Sequence, residues 1–255
     1  MARTDFRTPR LYVEAPLAET GEVKLDPQQA NYLLNVLRLQ AQAPVLLFNG
    51  RDGEFAGALA ASSRKGALMR VGARTRPQET PPDVDYLFAP LKHARLDYMA
   101  QKAIEMGARR LRPLLTRRTQ VARVNLERLS ANAIEACEQC GIIWTPEIAP
   151  LETLDKALER WPARRLLVFC DEEADETSPL EGLARVSADG GVGLLIGPEG
   201  GFDDDERAAI LKTPRVLRLS LGPRILRADT AAVAALALIQ ATLGDWPKAR
   251  RGDGV

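Results

Sequence analysis

Two loops of this 255-residue chain combine residue types that bind and activate a ligand. The first, Gly197-Pro198-Glu199-Gly200-Gly201-Phe202, follows the apolar run 193–196, and Asp203 stands ready to cap a helix after it. Glycines let a backbone approach a ligand closely, and peptide N–H groups exposed there bind polar atoms. The segment contains neither G-x-G-x-x-G nor G-x-x-x-x-G-K-[ST], so it fits neither a Rossmann dinucleotide site nor a P-loop, and a tight turn is the competing reading. The second loop, residues 220–231, alternates Arg224 and Arg227 with Ile225 and Leu226. A connector bearing two such aliphatics is expected to pack, which fixes both arginines beside an apolar site. The plainer alternative is surface arginines pairing with the acidic run 203–206. Asp229 has the chemistry of an N-cap for the last helix.

Other chemistries are poorly supplied. There is one histidine, His93, and no G-x-S-x-G, so a Ser/His/Asp triad lacks its parts. Cys137 and Cys140 form a C-x-x-C with no second pair, and Cys170 lies inside an apolar strand pattern, so no metal is expected. The C-x-x-C closes a helix instead of opening one, where a dipole would activate it, so idle or buried thiols are expected. Net charge is +1, yet residues 1–128 hold 21 basic and 13 acidic side chains, and the remainder 14 and 21. The densest basic stretch runs over 92–123, as expected of a phosphate-binding face or of a solvated arginine-rich surface. The N-terminus is polar with no apolar stretch behind it, and the apolar run 231–239 is too short for a bilayer span. A cytoplasmic protein with no membrane partner is expected.

The elements that must position these loops fall into two groups. Residues 1–75 read as a small β-barrel, with strands near 10–14, 21–25, 44–49, 54–60 and 67–74 and a glycine-containing turn at 49–53. Asp26-Pro27 opens one helix carrying Tyr32, Leu33, Val36 and Leu37 and ending near Arg38. Residues 76–83 are a proline-rich linker. From 84 to 247 strands near 84–89, 111–115, 166–170, 192–196 and 216–219 alternate with helices near 96–106, 125–139, 180–185, 203–211 and 229–243, which predicts a parallel sheet covered on both faces; 248–255 is a tail. Ligands in such sheets bind beyond the carboxyl ends of strands.

Leu194-Leu195-Ile196-Gly197-Pro198-Glu199-Gly200-Gly201-Phe202 followed by Leu221-Gly222-Pro223-Arg224-Ile225-Leu226-Arg227 resembles the signature of the RsmE family, the small-subunit ribosomal RNA uridine-N3 methyltransferases of the SPOUT class. Pro9-Arg10-Leu11-Tyr12, Val36-Leu37-Arg38, residues 101–107 and residues 135–139 resemble the family's other blocks in order. The resemblance implies an α/β protein with an N-terminal PUA-like β-barrel and a C-terminal SPOUT domain containing a trefoil knot. It implies a homodimer that uses S-adenosylmethionine to methylate N3 of uridine 1498 in the 16S rRNA of the small ribosomal subunit. Cofactor contacts would come from Leu195, Ile196, Gly197, Glu199, Gly200 and Gly201, then Leu219, Ser220, Leu221, Gly222, Ile225, Leu226, Arg227, Thr230 and Ala231.

The resemblance offers Arg227, Arg224, Glu199 and Asp229 as catalytic candidates, and Arg10, Arg38, Lys92, Arg95, Lys102, Arg117 and Arg118 as rRNA contacts. Two positions depart from the family pattern. Tyr32 stands where a histidine is usual, and Ala228-Asp229-Thr230 replaces Thr-Glu-Thr, a carboxylate one methylene shorter that favours capping. A SPOUT ribose 2′-O-methyltransferase, a nucleotide-dependent oxidoreductase and a non-catalytic RNA-binding module are the competing classes.

Overall fold

Asp26 forms a capping box with Gln29, and Pro27 starts α1 (Pro27–Asn31), the chemistry expected of that start. The helix then widens into a π-helical stretch, Tyr32–Val36, and Leu37 N–H bonds to Tyr32 C=O at 2.9 Å. The expected 3.6-residue spacing therefore fails. The wider turn buries Leu33 but leaves Val36 61% exposed, and Arg38 follows in the left-handed region at φ 55°. The computed structural model describes residues 5, 7–63, 66–174 and 178–246.

The chain divides into two compact units, Met1–Thr80 with Ile134–Thr145, and Pro81–Ala133 with Pro146–Val255. In the first, β1 (Arg10–Tyr12), β2 (Glu22–Lys24), β3 (Pro44–Phe48), β4 (Glu54–Ser63) and β5 (Gly66–Arg76) form a sheet in the order β1-β3-β4-β5-β2. Only β1 and β3 pair in parallel. Leu11, Val23, Leu33, Val45, Leu47 and Met69 make its core. The turn after β3 is set by Asn49, whose side-chain oxygen accepts from Arg51 and Asp52 N–H at 3.1 and 2.9 Å.

Ile134–Thr145 joins this unit, although its sequence pattern reads as part of the second. The reason is a set of polar ties that periodicity does not reveal. Tyr12 N–H donates to Glu138 Oε1 at 2.8 Å, Arg76 Nη1 to Gly141 C=O at 2.9 Å, and Gln78 Nε2 to Ile143 C=O at 3.4 Å.

The second unit is a parallel sheet with crossover helices. Its strands are β6 (Val84–Phe88), β7 (Arg110–Leu115), β8 (Glu147–Ile148), β9 (Glu152–Thr153), β10 (Leu166–Cys170), β11 (Val192–Ile196) and β12 (Val216–Leu219). The order is β12-β10-β11-β6-β7-β8, with β9 also on β7. Every residue of β6 and β11 is buried, as both-face coverage requires. The helices are α2 (His93–Glu105), α3 (Leu126–Cys140), whose C-terminal part belongs to the first unit, α4 (Leu154–Glu159), α5 (Pro179–Ala184), α6 (Asp204–Leu211) and α7 (Ala228–Thr242). The two-residue strands β8 and β9 and the short α4 were not anticipated from periodicity, being too short to show one.

α7 packs on α2, α5 and β11 through Ala231, Ala232, Ala235, Leu236 and Ile239. Its Gln240 donates to Met106 C=O at 3.0 Å. No helix among the described residues is long and apolar enough to cross a membrane.

Candidate cofactor and active site

β10 lies between β11 and β12, so three loops meet at their carboxyl ends. Together they line a cavity of about 830 Å³, within the usual range for a small-molecule site. In the loop after β11, Gly201 has φ 70°, and a Cβ on Gly197 would stand 2.7 Å from the Phe202 ring. Both positions thus require the residue present. Phe202 packs edge-on to Phe169 of β10, with ring centroids 5.4 Å apart. Asp203 then caps α6 in a capping box with Glu206, as expected.

The loop after β12 differs from expectation. Ile225 is 94% exposed and Arg224 and Arg227 are also exposed, so the two aliphatics do not pack to fix the arginines. The acidic run is not paired with them either. It is engaged by Arg117, whose Nη1 stands 2.8 Å from both Asp203 and Asp205. The residue capping α7 is Arg227, with no side-chain capping bond, and Asp229 sits in the first helical turn. The cap lies two residues before the expected one, which places Asp229 at the second helical position.

Asp229 is held by Arg95, from the start of α2, through Nε at 3.1 Å and Nη2 at 3.2 Å. Arg95 Nη1 also reaches Glu199 Oε1 at 3.3 Å. Burial opposes ionisation of Asp229, but the Arg95 hydrogen bonds, the Thr230 N–H at 2.9 Å and the Arg95 charge outweigh it and hold the carboxyl below its ordinary range. Asp229 is therefore a poor proton acceptor. Glu199 lines the cavity and has 43% of its side chain exposed.

The third loop, residues 171–174 after β10, was missed by sequence reasoning. Its signal was the acidic run Asp171-Glu172-Glu173 after an apolar strand, but only the sheet order brings it beside the other two. Asp171 is 5% exposed and accepts from Arg207 Nη2 at 2.9 Å and Arg218 Nε at 2.7 Å. Desolvation raises its pKa, yet the Arg207 and Arg218 bonds win and the net shift is downward. Cys170 beside it is pushed up to about 12 by burial and by the Asp171 charge, and burial pushes Cys137 up as well, so neither thiol is activated.

Of the expected cofactor residues, Ile196, Gly197, Glu199, Gly201, Leu219, Ser220, Leu221, Gly222, Ile225, Leu226, Arg227 and Ala231 line the cavity. Leu195 is instead in the core, and Gly200 and Thr230 stand off the wall. Arg224 lines it; Asp229 does not.

The expected rRNA contacts separate. Arg10 is 4% exposed, with Nε on Glu54 at 2.9 Å, so burial denies its guanidinium to a phosphate and makes it an internal strut. Lys102 pairs with Glu105 at 2.7 Å, and Arg118 donates to Gly200 C=O at 2.6 Å. Arg38 and Lys92 are exposed. The cavity combines apolar walls from Ile196, Leu219 and Leu226, backbone from glycine-bearing loops and the carboxylates of Glu172, Glu173 and Glu199. With Arg207, Arg224 and Arg227 also on the wall, that lining suits a ligand with a flat heterocycle, hydroxyls and charges of both signs, which is the chemistry of S-adenosylmethionine.

Comparison with known proteins agrees. A model of the RNA methyltransferase domain matches residues 78–240, and one of an RNA methyltransferase PUA domain matches residues 25–71. The chain is 29% identical to Ribosomal RNA small subunit methyltransferase E of Rickettsia conorii, covering 91% of this chain and 94% of the relative. It is 32% identical to the protein of that name from Synechocystis, covering 92% and 78%. Among solved structures, the Neisseria gonorrhoeae Ribosomal RNA small subunit methyltransferase E bound to S-adenosyl methionine aligns with TM-score 0.82 at 26% identity, covering 94% of this chain and all of that one. A putative methyltransferase from Legionella pneumophila with bound SAM aligns with TM-score 0.80 at 28% identity, covering 94% and 99%.

Proposed function

Because this chain belongs to the ribosomal RNA small subunit methyltransferase E family, we propose that it methylates N3 of a uridine in 16S rRNA, the nucleotide being uridine 1498. It is a methyltransferase of small-subunit ribosomal RNA that uses S-adenosylmethionine. The observation that carries the reading is the cavity at the three loop ends, with Glu199, Arg224 and Arg227 all on its wall.

The cofactor, when bound, supplies a methyl group on a sulfonium. Glycine-bearing loops and the apolar walls would hold it, and the carboxylates of Glu172 and Glu173 would favour its positive charge. Uridine N3 carries a proton and is a weak nucleophile. Glu199 accepts that proton, which frees the N3 lone pair. Arg224 and Arg227 stabilise the negative charge spread onto O2 and O4. Asp229 orients from outside the wall. The base must be presented unstacked, since pairing hides N3. Arg38 and Lys92 offer exposed cations to the phosphate backbone, the first on the PUA-like unit and the second on the methyltransferase unit.

The reading includes a trefoil knot in the methyltransferase unit, a homodimer, and action in the cytoplasm on the small ribosomal subunit. Radiolabelled S-adenosylmethionine with undermethylated small subunits, followed by mass spectrometry of the product nucleoside, tests it. N3-methyluridine at one site is expected, and Glu199→Gln lowers turnover about a hundredfold with cofactor affinity kept. Label on a ribose would overturn the base assignment and leave the cofactor assignment standing.

A further inference from the structure

Helix α2 begins against the usual electrostatic rule. Its N-cap, Lys92, makes no side-chain capping bond, its first turn contains no acidic residue, and Arg95 places a cation at the positive pole. Such placement is unfavourable at a helix start and signals a use elsewhere. The compensation comes from two other segments, Glu199 in the loop after β11 and Asp229 in the first turn of α7.

We propose that Arg95 is a positioning residue for methyl transfer, joining the first turn of α7 to the Glu199 loop and so setting where Glu199 stands over the cavity. The geometry divides the two carboxylates. Asp229, with 15% of its side chain exposed, receives a two-point clamp from Arg95 and a third bond from Thr230 N–H. It is the anchor. Glu199 receives one longer contact from the same guanidinium, on a single oxygen, and stands on the cavity wall. A planar guanidinium presents its donors in a fixed fork that holds both at once, a geometry that the single nitrogen of an ammonium does not reproduce. The same pairing removes Arg95 from the set of phosphate contacts that its place in the basic stretch suggests.

The inference rests on the methyltransferase reading above, and its test is arranged to fail separately. Arg95→Ala, Arg95→Lys, Asp229→Asn and the Arg95→Ala/Asp229→Asn double variant are compared with the wild type by total methyl incorporation, S-adenosylmethionine affinity by calorimetry, and rRNA binding across salt concentrations. Arg95→Ala is expected to lose about tenfold to a hundredfold in kcat, with KM for rRNA and cofactor affinity within about twofold. Arg95→Lys recovers only part of the loss, and it supplies the measurement if the alanine variant does not fold. Adding Asp229→Asn to Arg95→Ala costs little more than either alone, since the pair acts as one unit. A raised KM for rRNA with kcat intact and a shallower salt dependence would overturn the proposal in favour of a phosphate contact. Loss of cofactor affinity in step with kcat, or additive variants, would also overturn it. The product nucleoside made by the wild type decides the N3 reading independently of all these outcomes.

Discussion

At the amino edge of the parallel sheet Asp85 is 1% exposed, with Arg165 Nη2 at 2.9 Å and Arg110 and Arg112 at 3.6 Å. At the carboxyl edge Arg95 meets Asp229 and Glu199 beside an open cavity. Both clusters are arginine with aspartate or glutamate, and they lie at opposite edges of one sheet. What separates them is access. The amino-edge cluster is covered by Trp161, whose ring lies 5.5 Å from the Arg112 guanidinium and 6.0 Å from that of Arg165, and its arginines are taken up by further carboxylates, Arg110 by Glu147 at 2.7 Å, Arg112 by Glu152 at 3.2 Å and Arg165 by Asp83 at 3.0 Å. The carboxyl-edge cluster keeps half-exposed groups next to space a ligand can fill. An ion-pair cluster is therefore functional or structural according to what covers it, and the residue types alone do not decide.

The comparison breaks first at Asp85. Asp85→Asn leaves three guanidinia around a neutral side chain, and about 3 kcal/mol of stability should be lost in urea denaturation, with turnover per folded molecule unchanged. Equal loss of activity would mean that the two edges are coupled.

A sharper contrast comes from Glu138, a half-buried carboxylate whose partner is the Tyr12 N–H rather than an arginine. Burial raises its pKa from 4.5 to about 7, against the opposing Tyr12 N–H bond. The folded state thus favours the protonated form. Its stabilising contribution is full below about pH 4.5 and is lost as pH rises through about 7, so the first unit should be more stable at pH 5 than at pH 8 by about 2 kcal/mol. Glu138→Gln keeps an acceptor for Tyr12 and should abolish that slope in denaturation followed over the pH series.

The smallest expected effect is at Asp171, the anchor of the third loop. Asp171→Asn weakens the hold on Arg207 and Arg218, and S-adenosylmethionine affinity should fall about tenfold by calorimetry, equivalent to about 1.4 kcal/mol. An unchanged affinity would show that this loop holds its place without the clamp.

Much of this was legible in the residues. The caps at Asp26 and Asp203, the parallel strands around Val84, Leu166, Val192 and Val216, and the two loops at 197–202 and 220–231 follow from local chemistry and periodicity, which act over a few neighbouring residues. The family blocks lay in the same stretches. The misreadings share one cause. Val36 was misplaced because one wide turn changes which face a residue takes. Arg10 looked like a phosphate contact because its partner, Glu54, is 44 positions away. Arg95 looked the same because Asp229 is 134 positions away, and Arg110 and Arg112 because Asp85 faces them from the neighbouring strand.

By itself, then, the sequence determined the longer strands and helices, two of the loops that line the cavity and the family to which the chain belongs, because hydrophobic period, capping and turn chemistry are written in adjacent residues. The tertiary structure alone decided which charges neutralise one another, which loop completes the cavity and which carboxylate stays available. Those outcomes depend on strand order and burial, and charges far apart along the chain acquire their partners only when the sheet brings them within a few ångströms.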